Sequence, residues 1–366
     1  MKVAIVHDHL VQDGGAEKVL TAIQEIWPEA PTYTLVFDAR RMPAFAGKDV
    51  RSSFIARLPF GKTKYQWYLP LMPTATESYD LSDYDIVVSS SSAFSKGVIT
   101  RGDALHVCYC HTPTRYLWSD THSYVQELRL PGPIKSLLPP VLSVLRMWDR
   151  QSADRVDRFV ANSETVKRRI KKYYGRESDV FTPPVDTARF SISDKPKEYF
   201  LAGGRLVAYK RFDLVIEAAN RTGIKLKIFG TGSVESALRR RAKGNVEFLG
   251  RVPVAEQAEL YANAKAFIHP QEEDFGITPV ESMAAGRPVI AWRRGGATET
   301  VVEGVTGEFF DEQSWEELAD HLIRFDEKRY DPKTIRAHAE RFDREAFKAS
   351  FKQYVEGLWE EHSRRS

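Results

Sequence analysis

Short apolar runs rich in Val, Ile and Phe alternate along the chain with segments whose apolar positions recur at helical spacing. Val3 to Val6 has the continuous apolar character of a strand buried on both faces. A loop from His7 to Gly15 follows. Ala16 to Trp27 then puts Val19, Leu20, Ile23 and Ile26 on one helical face, with Pro28 as the stop. Further strands are predicted at Thr32–Phe37, Asp85–Val88, Ala104–Cys110 and Arg158–Ala161. The pattern returns in the second half as strand Tyr199–Ala202, helix Phe212–Asn220, strand Lys225–Phe229, helix Val234–Lys243 and strand Val246–Leu249. Helix Val254–Ala264 and strands Ala266–His269 and Pro288–Trp292 complete it. Strands that alternate with helices imply an α/β protein with parallel sheets covered on both faces.

Between the two series, Tyr173 to Lys197 has no helical period and holds Pro183-Pro184 and Pro196, as an interdomain hinge would. The expected domains are therefore 1–185 and 196–343. A last helical stretch, Arg344 to Glu360, could pack on either one. The length of 366 residues exceeds what one core usually serves, in agreement with two domains. A formal net charge of +3 is too balanced for a protein that coats nucleic acid. Two cysteines cannot staple a fold, which points to a reducing compartment. MKVAIVHDHL is too short an apolar start for a signal peptide, and no run approaches the about 18 apolar residues of a membrane span. The expectation is a cytoplasmic protein.

Four segments carry candidate chemistry. In HPQEEDFGITPVESMAAGRPVIAW, His269 to Trp292, a strand ends in a carboxylate-rich loop and a helix opens at Thr278. Gly276 lets backbone approach a ligand, and a helix amino terminus at the carboxyl end of a parallel strand suits an anion. Thr278, Pro279 and Glu281 read as N-cap, first helical position and third, so Glu281 could simply close a capping box. Glu272, Glu273 and Asp274 repel one another; they form either a solvated acidic loop or a ligand-facing one. GGRLVAYKRFD, Gly203 to Asp213, places Arg205, Lys210 and Arg211 after a strand and before a helix, where cations suit a diphosphate. DGGAEK, Asp13 to Lys18, has neither dinucleotide-fingerprint nor P-loop spacing. Gly14-Gly15 either relieves a tight turn or admits a phosphate to the backbone. In YCHTPTRYLW, Tyr109 to Trp118, His111 closes a strand at the cleft-facing edge, where it is either a structural histidine or a ligand contact. Cys108, Cys110, His106 and His111 are not read as a metal site, because nothing nearby completes a tetrahedral set.

Two stretches concern partners. Phe54 to Pro73 interleaves aromatics with Arg57, Lys62 and Lys64. Ile134 to Trp148 spaces Ile134, Leu137, Leu138, Val141, Leu142, Leu145 and Trp148 near helical period, with KRRIKK, Lys167 to Lys172, close behind. These are either buried helices with a solvated basic face or a surface that lies on an anionic membrane.

Taken together, the segments resemble the retaining, nucleotide-sugar-dependent glycosyltransferases of group 1 (family 4), especially the bacterial mannosyltransferase branch. The strongest likeness is Glu273 to Glu281, two glutamates with seven residues between them, within EDFGITPVESMAAGRPVIA. Asp274 departs from the glycine that most of the class has there. The resemblance implies a GT-B fold, two Rossmann-like domains facing across a cleft, with the final helix, about 344–366, crossing back to the first. It implies no metal and no cofactor, with GDP-mannose as donor and a glycan or lipid-linked acceptor in polysaccharide synthesis. Arg205 and Lys210 would hold the donor diphosphate, Glu281 the ribose and Glu273 the hydroxyls of the transferred sugar. Backbone around Phe275, Gly276 and Ile277 would bind sugar and phosphate. His111 would contact the sugar, and Gly14-Gly15 would approach the phosphates. A UDP-sugar transferase, a silent carbohydrate-binding scaffold and a nucleotide-sugar epimerase are the competing readings.

Overall fold

The computed structural model describes residues 1–121, 132–194 and 196–364, with side chains from 132 to 137 excepted. The chain divides into two compact units, Met1–Thr182 with Phe347–Ser366, and Pro183–Ala346. The division falls inside the proline-bearing Tyr173–Lys197 segment.

The first unit is built on a seven-stranded sheet of β1 (Val3–His7), β2 (Thr32–Thr34), β3 (Val50–Ser52), β4 (Ile86–Ser91), β5 (Leu105–Cys110), β6 (Arg158–Ala161) and β7 (Ser178–Val180). Their order is β3-β2-β1-β4-β5-β6-β7 and all pairs are parallel. Strands β1, β4 and β5 are buried end to end, as their unbroken apolar runs require when helices cover both faces. Helix Gly15–Ile26 packs Val19, Leu20 and Ile23 against Ile5 and Val88. Phe347, Phe351 and Val355 of helix Arg344–Ser363 join the same core, with Phe351 edge-on to Tyr109 at 5.9 Å and to Trp27 at 6.3 Å. The last helix therefore belongs to the first unit.

The second unit holds β8 (Phe200–Gly203), β9 (Leu226–Phe229), β10 (Val246–Gly250), β11 (Phe267–His269), β12 (Val289–Trp292) and β13 (Gly307–Phe310) in the order β10-β9-β8-β11-β12-β13, again all parallel. Helices Phe212–Thr222 and Trp315–Arg324 cover one face, and Ile277–Ala284 and Pro332–Ala339 the other. In each sheet the strand order reverses beside the first strand, between β1 and β4 and between β8 and β11. Such a switch point is where doubly wound sheets open a crevice at the carboxyl ends of their strands.

Several elements differ from the sequence expectation. Strands β3, β7 and β13 and the helices Trp315–Arg324 and Pro332–Ala339 were not anticipated, and β2 stops at Thr34 instead of Phe37. β3 and β7 are three-residue edge strands, too short for any periodic signal, and Ser178–Val180 lies within the expected hinge.

Candidate functional site

In the second unit the carboxyl ends of β8 and β11 bring two distant segments together. The Lys210 ammonium lies 2.6 Å from a Glu273 carboxylate oxygen. Lys210 is 8% exposed, so this cation is buried against its partner and not solvated at the sheet edge. Burial opposes ionisation of Glu273, but Lys210 and His269 outweigh it and hold the carboxyl down at about 2. Burial likewise opposes the Lys210 charge, and Glu273 overcomes it, raising the ammonium pKa. Gln271 Nε2 donates to Glu273 at 3.4 Å and reaches His269 Nδ1 at 3.2 Å. Residues 269, 271 and 273 thus point to one cluster from alternate positions of the loop. Arg205 is exposed, close enough to Lys210 to oppose its charge. Arg211 is occupied elsewhere: it pairs with Asp213 at 3.2 Å and bonds Gln313 at 2.8 Å at the start of helix Phe212–Thr222.

The helix after β11 has Ile277 as its first residue, two positions earlier than the Pro279 read from the sequence, and Gly276 with φ of 91° is its cap. Thr278 is therefore not the N-cap, and Pro279 sits at the third helical position. Glu281 is released from the capping role; it is buried and accepts a hydrogen bond from Tyr261 OH at 3.1 Å. Gly276 needs its glycine for a positive φ that side chains rarely adopt. Gly295-Gly296 explains the path of the acidic loop. The Gly296 amide donates to the Glu273 carbonyl at 2.8 Å, and a Cβ on Gly296 would stand 2.3 Å from Phe275 Cα. These residues bring Arg205, Lys210, Glu273, Phe275, Gly276, Ile277 and Glu281 to one edge, offering cations, backbone amides and carboxylates to an anionic, hydroxyl-rich ligand.

In the first unit His111 directly follows β5 and is buried. Its Nε2 lies 2.8 Å from the Ser90 hydroxyl at the end of β4. Burial and the neighbouring His7 push its pKa down to about 4, so the ring is neutral. Gly14 caps helix Gly15–Ile26 in extended backbone, and neither Gly14 nor Gly15 has positive φ, so turn relief does not explain the pair. Instead the Gly14 amide donates to Glu17 at 3.0 Å, and a Cβ there would stand 2.8 Å from that oxygen. Asp8, buried after β1, accepts the backbone amides of Ser92, Ala93, Phe94 and Ser95 at 2.7–2.9 Å and so ties the ends of β1 and β4 together. Burial would raise its pKa, but His7, His9 and these amides lower it. The loop after His111 is anchored on buried Asp149, which pairs with Lys96 and accepts from Thr114 at 2.8 Å and Trp118 Nε1 at 2.7 Å.

Cys108 and Cys110 are free and buried among Ala153, Val156 and Phe159, and His106 bonds Ser89 at 2.8 Å. The described residues contain no group of three or more His, Cys, Asp or Glu arranged to hold a metal ion.

The partner stretches divide. Ile55 is buried, whereas Phe60 is 64% and Trp67 62% exposed, and the Lys64 ammonium stands 4.4 Å over the Trp67 ring. Leu142 and Leu145 are buried in helix Gly132–Ser152, and Val144 and Met147 are exposed. Ile134 and Leu137 lie outside the described side chains. In the KRRIKK run, Lys171 pairs with Glu177 and Lys167 with Glu164. Among the described residues, no helix is long and apolar enough to cross a membrane.

His7, Asp8, Glu17, Ser90, Gln271 and the Gly295-Gly296 pair escaped the sequence reading as site residues. Only Gly295-Gly296 carried a local signal, a glycine pair in the loop that follows β12.

Residues 13–189 match the family model described as Glycosyltransferase Family 4, and residues 186–348 the one described as Glycosyl transferases group 1. A D-inositol 3-phosphate glycosyltransferase from Segniliparus rotundus is 29% identical over 223 residues, 52% of this chain and 50% of that protein. Its counterpart in Mycobacterium tuberculosis is 27% identical over 215 residues, 51% of this chain and 44% of that protein. The chain thus spans about half the length of the curated relatives it matches. Among solved structures, Anabaena HepE with UDP shares the fold at TM-score 0.73 and 18% identity, covering 98% of this chain and 100% of that one. Sucrose-phosphate synthase from Thermosynechococcus elongatus does so at TM-score 0.75 and 16% identity, covering 98% and 99%. With two parallel α/β domains like those of GT-B neighbours and family matches running from residue 13 to residue 348, the chain belongs to the group 1 (family 4) glycosyltransferases.

Proposed function

We propose that the protein is a retaining, metal-independent hexosyltransferase that moves mannose from GDP-mannose onto a glycan or lipid-linked acceptor in polysaccharide synthesis. The observation that carries this reading is the Lys210–Glu273 pair at the carboxyl edge of β8 and β11, flanked by exposed Arg205 and the Gly276 turn. Arg205 and Lys210 stabilise the diphosphate as the anomeric bond breaks, the task a divalent metal performs in other transferases. Glu273, kept ionised by Lys210, accepts hydrogen bonds from sugar hydroxyls. Glu281 takes the ribose, and the amides around Phe275, Gly276 and Ile277 take sugar and phosphate. The first unit supplies the neutral His111 ring to the sugar and the Gly14-Gly15 backbone to the phosphates. The acceptor hydroxyl enters on the leaving-group face of an oxocarbenium-like transition state, and the departing phosphate takes its proton.

A UDP-sugar donor is the second reading, favoured by the similar Anabaena HepE, whose structures include one with UDP-glucose. Intact Arg205, Lys210, Glu273 and Glu281 speak against a silent scaffold. Donor hydrolysis across GDP- and UDP-sugars in excess EDTA, with the product anomer read by NMR, tests all of this. GDP-mannose turnover with retained configuration is the expected result. Turnover of UDP-sugars alone supports the second donor. Activity that EDTA abolishes and Mg²⁺ or Mn²⁺ restores overturns the metal-independent mechanism.

A further inference from the structure

A chain of polar contacts in the first unit runs from the Gly14 turn to the His111 ring. Glu17 accepts the Gly14 amide on one oxygen at 3.0 Å, and its other oxygen lies 3.9 Å from His7 Nε2. His7 Nδ1 meets the Ser90 carbonyl at 3.1 Å and the Ser90 hydroxyl at 3.0 Å. That hydroxyl meets His111 Nε2 at 2.8 Å. Glu17, His7, Ser90 and His111 are all buried.

Counting donors and acceptors assigns the protons. A backbone carbonyl only accepts, so His7 carries a proton on Nδ1. The same N–H faces Ser90 Oγ, which acts there as acceptor. The Ser90 hydroxyl proton is then directed at the one remaining neighbour, the His111 Nε2 lone pair. The opposite assignment would aim two N–H groups at one hydroxyl and leave its own proton without an acceptor, which burial penalises.

We propose that Ser90, backed by His7 and Glu17, is a positioning residue that locks His111 as its Nδ1-protonated tautomer, so that the ring offers substrate an N–H donor and not a base. This rests on the transferase reading, in which His111 contacts the transferred sugar. The ring lone pair is consumed by Ser90, so the acceptor hydroxyl must lose its proton to another group. The same chain of polar contacts reaches from His111 toward the Gly14 amide, its His7–Glu17 link being a 3.9 Å contact longer than a hydrogen bond.

The test uses the full chain labelled with ¹⁵N at histidine, with the His111 signals identified by their loss in His111→Asn. Long-range ¹H–¹⁵N correlation is expected to show His111 protonated on Nδ1 and unprotonated on Nε2. In Ser90→Ala the two tautomers should mix, and kcat for donor turnover should fall roughly tenfold, the worth of one hydrogen bond, with KM unchanged. Ser90→Thr, which keeps the hydroxyl, should restore both. A wild-type ring protonated on Nε2, or a Ser90→Ala variant with unaltered spectrum and kcat, overturns the assignment. The spectrum needs no substrate. A wild-type chain inert toward every donor would count against the transferase reading, while the spectrum would still decide the tautomer.

Discussion

Lys210 Nζ sits 2.6 Å from the Glu273 carboxylate, joining a residue in the loop after β8 to one in the loop after β11. The two charges hold each other in place at the strand switch point, and Arg205 stands beside them in solvent.

The two cations should therefore separate on mutation. Arg205→Ala leaves no cavity, so its stability should change by less than about 0.5 kcal/mol. Its turnover should fall by roughly 10² to 10³, the usual effect of losing a donor to developing charge. Lys210→Ala should lose turnover and also about 1–3 kcal/mol of stability, because Glu273 is left partly buried without its partner. Paired melting curves and donor turnover read both effects. Equal stability loss in the two variants would contradict the difference in burial.

Glu273 also sets an acid dependence. Its carboxyl is held at about 2 against a reference value of 4.5. A depressed folded pKa adds stability that is fully present above the reference value. That stability is lost as pH falls from 4.5 toward 2, and amounts to about 3 kcal/mol at most. Glu273→Gln should flatten the fall in stability across that window, as measured by denaturant titration at stepped pH. An unchanged slope would show that the pair does not contribute.

Gly296→Ala tests the buttress under the acidic loop. The added Cβ would meet Phe275 Cα at 2.3 Å and the Phe275 carbonyl oxygen at 2.4 Å, both backbone atoms that yield poorly. Overpacking of this kind costs about 1–3 kcal/mol, and displacing Glu273 and Gly276 with the loop should raise KM for the donor. Wild-type KM and melting temperature in this variant would mean that the loop shifts freely.

Phe60 and Trp67 are exposed with ring centroids 6.1 Å apart, Lys64 stands over both rings, and Arg57 and Lys62, close by in sequence, are exposed as well. A cation near an anionic bilayer contributes about 1 kcal/mol, and ring insertion adds to it. Cosedimentation with phosphatidylglycerol vesicles is expected at low salt, weakened by salt and by Trp67→Ser combined with Lys64→Glu. Equal partitioning onto neutral vesicles, or none onto either kind, would refute contact with an anionic membrane.

The alternation of strand and helix and the segment order were legible in the sequence, because each is written in local period and in glycine, proline and charge at short spacing. Val3–Val6 and the loop from His269 to Gly276 are cases where neighbours in sequence also carry the information. The candidate residues Lys210, Glu273 and Glu281 were legible as types, but their states were not. The capping box at Thr278 was a sound local reading, yet Gly276 took the cap and left Glu281 to Tyr261, twenty residues away in the chain. Whether Lys210 is solvated or buried depends on how the loops after β8 and β11 meet, which no spacing encodes. His7 and Ser90 are 83 residues apart and touch only because β1 pairs with β4 in parallel register. Local propensity thus determined the longer alternating elements and the kinds of residue at their ends, and left out short edge strands such as β3 and β7. Only the pairing of distant strands decided which charges are neutralised, which histidine is positioned and which glycine must stay bare.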